Sequence, residues 1–286
     1  MSYLDRIAAC RTWDPGSFRP FVVEGRRMGR VRHNWARRFA DFTGVFEVSE
    51  RAVVLNPLLT GFEERTRAVE EVLLHLGETG EFRALRGEYF PVLHDWHEEP
   101  VMKVDRAGVP LLGVRGFGVH MNGYVRGDDG SLCMWVGRRA RDKRTEPGKF
   151  DHLVAGGQPH GLSFRENLIK EAEEEASIPR HLAERARPVG ALAYVLEREQ
   201  GLRDDVLFLY DLELPADFVP ANQDGEVEFF ELWPVEDVMA RVRDTDDFKF
   251  NVALVNIDFF LRHGLLDPDE AGYLQIVEGL SAGDRL

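Results

Sequence analysis

Three glutamates, Glu171, Glu174 and Glu175, stand three and four residues apart in a stretch that reads as one helix. At about 100° of rotation per residue they project within one sector of roughly 100°. Carboxylates that close repel one another unless a cation or protons compensate, and an oxygen-rich cluster of this kind suits a hard ion such as Mg²⁺ or Mn²⁺. A solvated acidic face has the same spacing, so the helix alone leaves both readings open. Lys170, beside the first glutamate, is placed to brace the group electrostatically.

The flanking residues must hold that helix in place. Ser163-Phe-Arg-Glu166 is a capping box, which predicts a helix beginning just after Ser163. Leu168, Ala172 and Ala176 recur every four residues as a seam for packing on a sheet. Pro179 ends the helix by disfavouring helical geometry in the residue before it. Around it, residues 117–125 and 132–136 alternate about a turn at 127–130 and predict a hairpin. A second strand pair is expected at 189–196 and 206–214 about Gln200-Gly201, then a strand at 226–233 and a largely apolar helix at 251–263.

The first part of the chain reads as mixed α+β. Strands are expected at 18–23 and across 45–55, then a helix from a capping box at Thr60-Gly-Phe-Glu63 to about Leu76, with Gly77 as its stop. Residues 98–112 look like a connection. At 286 residues the chain exceeds one usual domain. The expected division is therefore a smaller α+β domain at 1–112 and an α/β domain at 113–286.

Charge is unevenly spread. Residues 1–115 carry 17 basic and 17 acidic side chains, so the whole net charge of −14 falls on the remainder. Such a chain is a poor general binder of nucleic acid, which needs many basic contacts. The opening residues lack a basic start followed by an apolar stretch, and no run of roughly 20 apolar residues occurs, so neither a signal peptide nor a membrane span is expected and a cytoplasmic location is the default. Cys10 and Cys133, far apart, read as free structural thiols.

The run Lys170-Glu-Ala-Glu-Glu-Glu-Ala-Ser-Ile178, with Gly156 upstream, resembles the core of the Nudix box, Arg-Glu-apolar-x-Glu-Glu-x-Gly-apolar. That resemblance implies an α/β/α sandwich with a mixed sheet, and metal binding by Glu171, Glu174 and Glu175 with the Gly156 carbonyl as a further ligand. It makes Glu174, Glu175 and Lys170 the expected catalytic group. Leu162, Lys170 and Ser177 depart from the pattern, standing where the family has glutamate, arginine and glycine.

A closer resemblance rests on Gly156-Gly-Gln-Pro-His-Gly161, Gly118-Val-His-Met-Asn-Gly-Tyr124, Asp247-Phe-Lys-Phe-Asn251 and Asp258-Phe-Phe-Leu-Arg-His-Gly264. These look like the Nudix proteins related to the domain fused to fungal thiamin pyrophosphokinase, which also carry an N-terminal domain of unknown function. The implied substrate is a small-molecule diphosphate, an oxidised or antagonist thiamin form such as oxothiamin or oxythiamin diphosphate. ADP-ribose, coenzyme A or a nucleotide sugar is the competing substrate class. A non-catalytic metabolite-binding module is a third reading, against which the three retained glutamates argue.

Further candidates surround this core. Arg138, Arg139, Arg141, Lys143 and Arg144 form a basic loop suited to a diphosphate, Glu226 and Glu228 share one face of a strand, His160 lies in the glycine loop, and Lys249 lies in the 247–251 motif. Trp13, Phe18, Trp35 and Phe39 would serve either as an aromatic wall for the organic group or as ordinary core. Residues 19–38 hold seven arginines against the single acid Glu24, a charged strip on this reading.

Overall fold

The computed structural model describes residues 1–82, 85–143, 145–223 and 225–281. Its N-terminal half runs α1 (Tyr3–Ala9), β1 (Phe18–Val23), β2 (Arg26–Arg32), α2 (His33–Phe39), β3 (Phe46–Val48), β4 (Val53–Leu55), α3 (Phe62–Glu78), β5 (Tyr89–Val92), β6 (Met102–Asp105) and α4 (Gly108–Leu112). The sheet order is β2-β1-β4-β3, with β5 and β6 as a separate hairpin. Phe21 and Val23 of β1 face the same core as Val69, Val72, Leu73 and Leu76 of α3, the period of two meeting the period of 3.6.

The remainder runs β7 (Arg115–Arg126), β8 (Leu132–Arg139), β9 (Phe150–Asp151), β10 (Val154–Gly157), α5 (Phe164–Ala176), α6 (Arg180–Ala183), β11 (Arg187–Arg198), β12 (Gly201–Glu213), β13 (Val227–Pro234), α7 (Val235–Asp244), α8 (Phe250–Arg262) and α9 (Tyr273–Ser281). Five strands pair in the order β11-β12-β7-β8-β13, with β10 added on β7 and β9 on β8. The β12–β7 pairing is parallel and the other pairings of this sheet are antiparallel, so the sheet is mixed. Residues 116–125 of β7 are buried at every position, as a strand must be when both faces are covered. Val119 and Met121 pack against Leu168, Ala172 and Ala176 of α5 in one layer. Tyr124 packs against Phe259 of α8 in the other. The result is an α/β/α sandwich.

The helix of the three glutamates is set as its sequence predicts. Ser163 Oγ accepts from Glu166 N at 3.2 Å while Glu166 Oε2 accepts from Ser163 N at 2.9 Å. At the other end Ser177 adopts the left-handed conformation, φ 53° and ψ 32°, where glycine is easiest. Its hydroxyl donates to Ala221 O at 2.5 Å and accepts from Gln223 Nε2 at 2.9 Å, bonds a glycine lacks.

Several expectations need correction. Thr60 does not cap α3: Gly61 is the N-cap, without a side-chain bond, and it is Glu64 rather than Glu63 that reaches back, to Thr60 N at 3.1 Å. Gly77 does not stop that helix, which runs on to Glu78 before Gly80 turns the chain at φ +74°. The stretch 45–55 is two strands joined at 49–52, closed by Ser49 N donating to Ala52 O at 2.9 Å. The arginine strip contains strand β2, whose Met28 and Val31 are buried while Arg26 is exposed and Arg27, Arg30 and Arg32 are partly buried. Residues 98–112 include β6 and α4. Finally, α1 packs on α8 and α9, with Tyr3, Ile7 and Cys10 in the core of the second half.

Because the Ser163 cap satisfies amides at the start of α5, Ser163→Ala should lower stability by about 1 kcal/mol, read as a fall in denaturation midpoint. An unchanged midpoint would show that the cap does not hold the helix.

Candidate active site

The glutamates lie where α5 meets β10. An added Cβ at Gly156 would come within 2.4 Å of Glu171 Cγ and Cδ, so only glycine lets that side chain lie flat against the strand. Glu175 is 9% exposed, and its Oε2 accepts from Ala155 N at 2.8 Å. Lys170 Nζ lies 2.7 Å from Glu174 Oε2 and 3.3 Å from Glu171 Oε1. One lysine thus ties two of the three carboxylates, while the third is held by backbone.

Burial pushes the Glu171 carboxyl above its ordinary value, with Lys170 working against the rise. Glu175 is pushed well above it, first by burial and then by the neighbouring Glu171 charge. On Lys170 burial acts against the charge, but Glu174 and Glu171 outweigh it and leave the ammonium pKa raised.

Among the described residues no three His, Cys, Asp or Glu side chains are grouped closely enough to hold an ion as they stand. The donor set is nevertheless that of a hard divalent cation. Glu171 and Glu175 are largely buried carboxylates, the first raising the cost of ionising the second, and oxygen donors of this kind match Mg²⁺ or Mn²⁺. Glu174 is half exposed and engaged by Lys170.

The other candidates fall into distinct places. Arg139 Nη1 and Lys249 Nζ converge on the buried Asp151 Oδ2, at 2.7 Å and 3.5 Å. Arg139 also donates to Glu146 O at 3.3 Å and Thr145 O at 3.0 Å, so its fork is occupied within the fold. Asp151 accepts from His152 N at 3.0 Å, and His152 Nε2 lies 3.0 Å from His120 Nδ1. Burial works against the Asp151 charge, yet Lys249, His152 and Arg139 hold its pKa far below the carboxylate range. Burial lowers His152 to about 4 and also pushes His120 well below the ordinary imidazole value. This cluster is close enough to Glu175 for Asp151 to add to the rise in its pKa.

Arg138 lies over the Phe150 ring at 4.6 Å. Lys143 pairs with Glu226, and Arg141 lies 3.7 Å from Glu228, so the basic loop is met by the two strand-edge glutamates. Arg144 lies outside the described residues. His160 is exposed, its ring 5.4 Å from that of Phe62 and its backbone N donating to Tyr89 O at 2.8 Å. The four aromatic candidates pack in cores: Phe39 stacks on Phe46 at 4.5 Å and lies beside Trp35, while Trp13 meets Phe18 edge-on. Arg26, Arg32 and Arg38 of the strip are paired with Glu98, Glu197 and Glu81. A groove of about 570 Å³ follows the outer side of α5 past Glu166, Ile169, Lys170, Glu174, Arg180 and Gln223.

Asp151, His152 and His120 were missed by sequence reasoning. The one signal available was Asp151-His152 between buried apolar residues just before the glycine loop, where charged side chains need partners.

A carboxylate helix laid against a glycine strand, on a mixed sheet closed by helices on both faces, is the arrangement of a Nudix fold. A family model described as NUDIX domain matches residues 116–252, and one described as domain of unknown function DUF4743 matches residues 2–116. Two curated relatives extend the match along the chain. Nudix hydrolase 24, chloroplastic, of Arabidopsis thaliana is 46% identical over 99% of this chain and 78% of its own length. Nudix hydrolase 20, chloroplastic, of the same plant is 44% identical over the same shares. Among solved structures, DR0079 of Deinococcus radiodurans is 23% identical over 59% of this chain and 97% of its own, with a TM-score of 0.45. The chain belongs to the Nudix hydrolase family, with a DUF4743 domain ahead of the Nudix domain.

A methyl group at Gly156 cannot enter without moving the Glu171 carboxylate. Gly156→Ala should therefore weaken Mn²⁺ binding by roughly tenfold or more, by analogy with losses of groups that orient metal ligands. Calorimetric titration of the folded variant checks this, and an affinity equal to that of the parent protein would detach Glu171 from any ion site.

Proposed function

We propose that this Nudix hydrolase uses Mg²⁺ or Mn²⁺ to cleave the diphosphate of a small organic substrate, releasing a monophosphate, and that the substrate is an oxidised or antagonist form of thiamin diphosphate. The observation that carries the metal-dependent reading is the burial of Glu171 and Glu175 on one face of α5, two carboxylates whose charges a divalent cation would stabilise. A bound divalent ion would supply charge neutralisation of the diphosphate and a more acidic water.

The chain's own groups do the rest. Ala155 N holds one oxygen of Glu175, leaving the other for the ion, and the Gly156 cradle holds Glu171. Lys170 holds the Glu171 and Glu174 side chains together until the ion competes for them. Hydrolysis adds water across one P–O–P bond, one phosphate keeping the organic group and the other leaving, with a proton released to solvent.

The thiamin-type reading is supported by the segments that resemble the thiamin-related Nudix proteins. Residues 118–124 and 247–251 lie far apart in sequence, yet they bring His120 and Lys249 into one buried cluster around Asp151, beside Glu175. Residues 1–112 then act as a substrate-selectivity domain, because the glutamate helix can recognise only ion and diphosphate.

Glu175→Gln keeps an acceptor for Ala155 N but loses the charge. It and Glu174→Gln should each reduce kcat by at least roughly 100-fold, the scale on which metal-ligand shells fail, with melting temperatures near that of the parent. Turnover like the parent's in both would remove the metal-site assignment. For the substrate, oxothiamin or oxythiamin diphosphate should be cut with higher kcat/KM than ADP-ribose in Mg²⁺ and in Mn²⁺. The reverse order would assign the chain to the ADP-ribose class instead.

A further inference from the structure

The β5–β6 hairpin of the N-terminal half lies directly on β10, the strand that carries the glycines of the site. Its Phe90 ring covers Gly157, where an added Cβ would come within 2.4 Å of Phe90 Cζ. Its Tyr89 carbonyl receives the His160 amide at 2.8 Å. Arg106 follows β6 immediately, and its guanidinium sits 5.7 Å from the centroid of the same Phe90 ring. A contact chain from Arg106 through Phe90 to Gly157 thus ends one residue from the Gly156 cradle of Glu171.

The backbone around Arg106 is clamped. Asp105, 2% exposed, accepts from the backbone amides of Arg86, Gly87 and Ala107 at 2.9, 2.8 and 2.8 Å. Arg106 N donates to Glu88 O at 2.7 Å, and Arg106 Nη1 to Glu88 Oε2 at 2.9 Å. An ion pair whose side chains are 41% and 32% exposed contributes little to stability. A buried carboxylate spending three bonds to fix such a pair does more than a surface contact needs.

The electrostatics on either side of the hairpin agree with that placement. Burial raises the Glu226 carboxyl, but Lys143, then Arg106, then Arg139 hold it below its ordinary value. Burial also raises Glu171, Lys170 opposes this, and Glu174 and Glu88 add to it. Glu88 thus acts on the charge of Glu171, and Arg106 on that of Glu226.

We propose that Arg106 is a substrate-binding residue of the glutamate site, turning its guanidinium from Glu88 onto the oxygens of the bound diphosphate. A guanidinium offers a planar fork of five N–H donors suited to phosphate, and Glu88 takes one through Nη1. On this inference, which rests on the diphosphate reading above, the DUF4743 half completes the anion site as well as selecting the organic group. Glu88 acts as the placeholder that keeps the arginine aimed before substrate arrives.

The test is calorimetric binding of methylenediphosphonate, a non-hydrolysable diphosphate, to the full chain with Mg²⁺ present. Arg106→Ala and Arg106→Gln should each weaken binding about tenfold or more, the scale of one charge-assisted hydrogen bond. Arg106→Lys should fall between these and the parent, and Glu88→Gln, which frees the guanidinium, should bind as well as the parent or more tightly. Parent-like affinity in the folded Arg106→Ala and Arg106→Gln proteins would overturn the assignment. So would an equal loss in Glu88→Gln, which would make the pair a structural unit. If the parent protein itself bound no methylenediphosphonate, the diphosphate reading would fall and this inference with it, a pattern distinct from failure of Arg106 alone.

Discussion

The costliest feature of the molecule is the burial of Glu171 and Glu175 one helical turn apart. Carboxylates four apart on a helix have Cβ atoms about 6 Å apart, and at an effective dielectric of ~20 two such charges repel by roughly 3 kcal/mol. Removal from water is the larger cost: burial is the main cause of the rise in both carboxyl pKa values, and the Glu171 charge adds to the rise of Glu175. No core would assemble around the pair unless other groups fixed α5 against that cost. They do so through Leu168, Ala172 and Ala176, each fully buried against β7, and through the reciprocal cap at Ser163. The strain of the charges is thus transferred to an apolar seam and leaves the carboxylates held where an ion would relieve them.

A second buried polar group solves the opposite problem. Asp151 sits between Arg139 and Lys249 and accepts a backbone amide, so a deep charge is matched on several sides. Breaking one partner of such a set leaves the others uncompensated, and this makes the cluster rigid. It joins β8, β9 and the start of α8, elements distant in sequence. Lys249, with no side-chain cap of its own at the head of α8, is locked there by its charge. Among the described residues of the basic loop, Arg139, Arg141 and Lys143 are each met by an acid.

What could be read from sequence was what local chemistry specifies. The α5 boundaries followed from a cap and a proline, and the β7–β8 and β11–β12 hairpins followed from alternation and turn residues. The Thr60 box failed because its residues match the pattern but Gly61 occupies the cap position, a choice settled by the approach of the chain to α3. Strand β2 was hidden by its arginines, since an amphipathic strand with few apolar residues resembles a charged loop until Met28 and Val31 find their core. Asp151, His152 and His120 escaped because a buried polar cluster is defined by partners from separate elements, which no spacing along the chain encodes. Gly156 was read as part of a glycine loop but lies in strand β10, and the reason for a glycine there, the Glu171 side chain lying across it, exists only in three dimensions.

The same limit explains why the two halves must be considered together. The helix α1 opens the chain yet packs into the core formed by α8 and α9, with Tyr3 Oη donating to Met239 O at 3.1 Å. Gly29 of β2 lies so close to Leu112 and Gly113 that a Cβ there would come within 2.5 Å of Leu112 O, and Arg30 N donates to Gly113 O at 3.2 Å. The Trp96 ring meets that of Phe164 at the head of α5 at a tilt of 36°, with centroids 4.3 Å apart. Helix α1 and Trp96 thus join the two halves at different places, the second of them at the head of the glutamate helix.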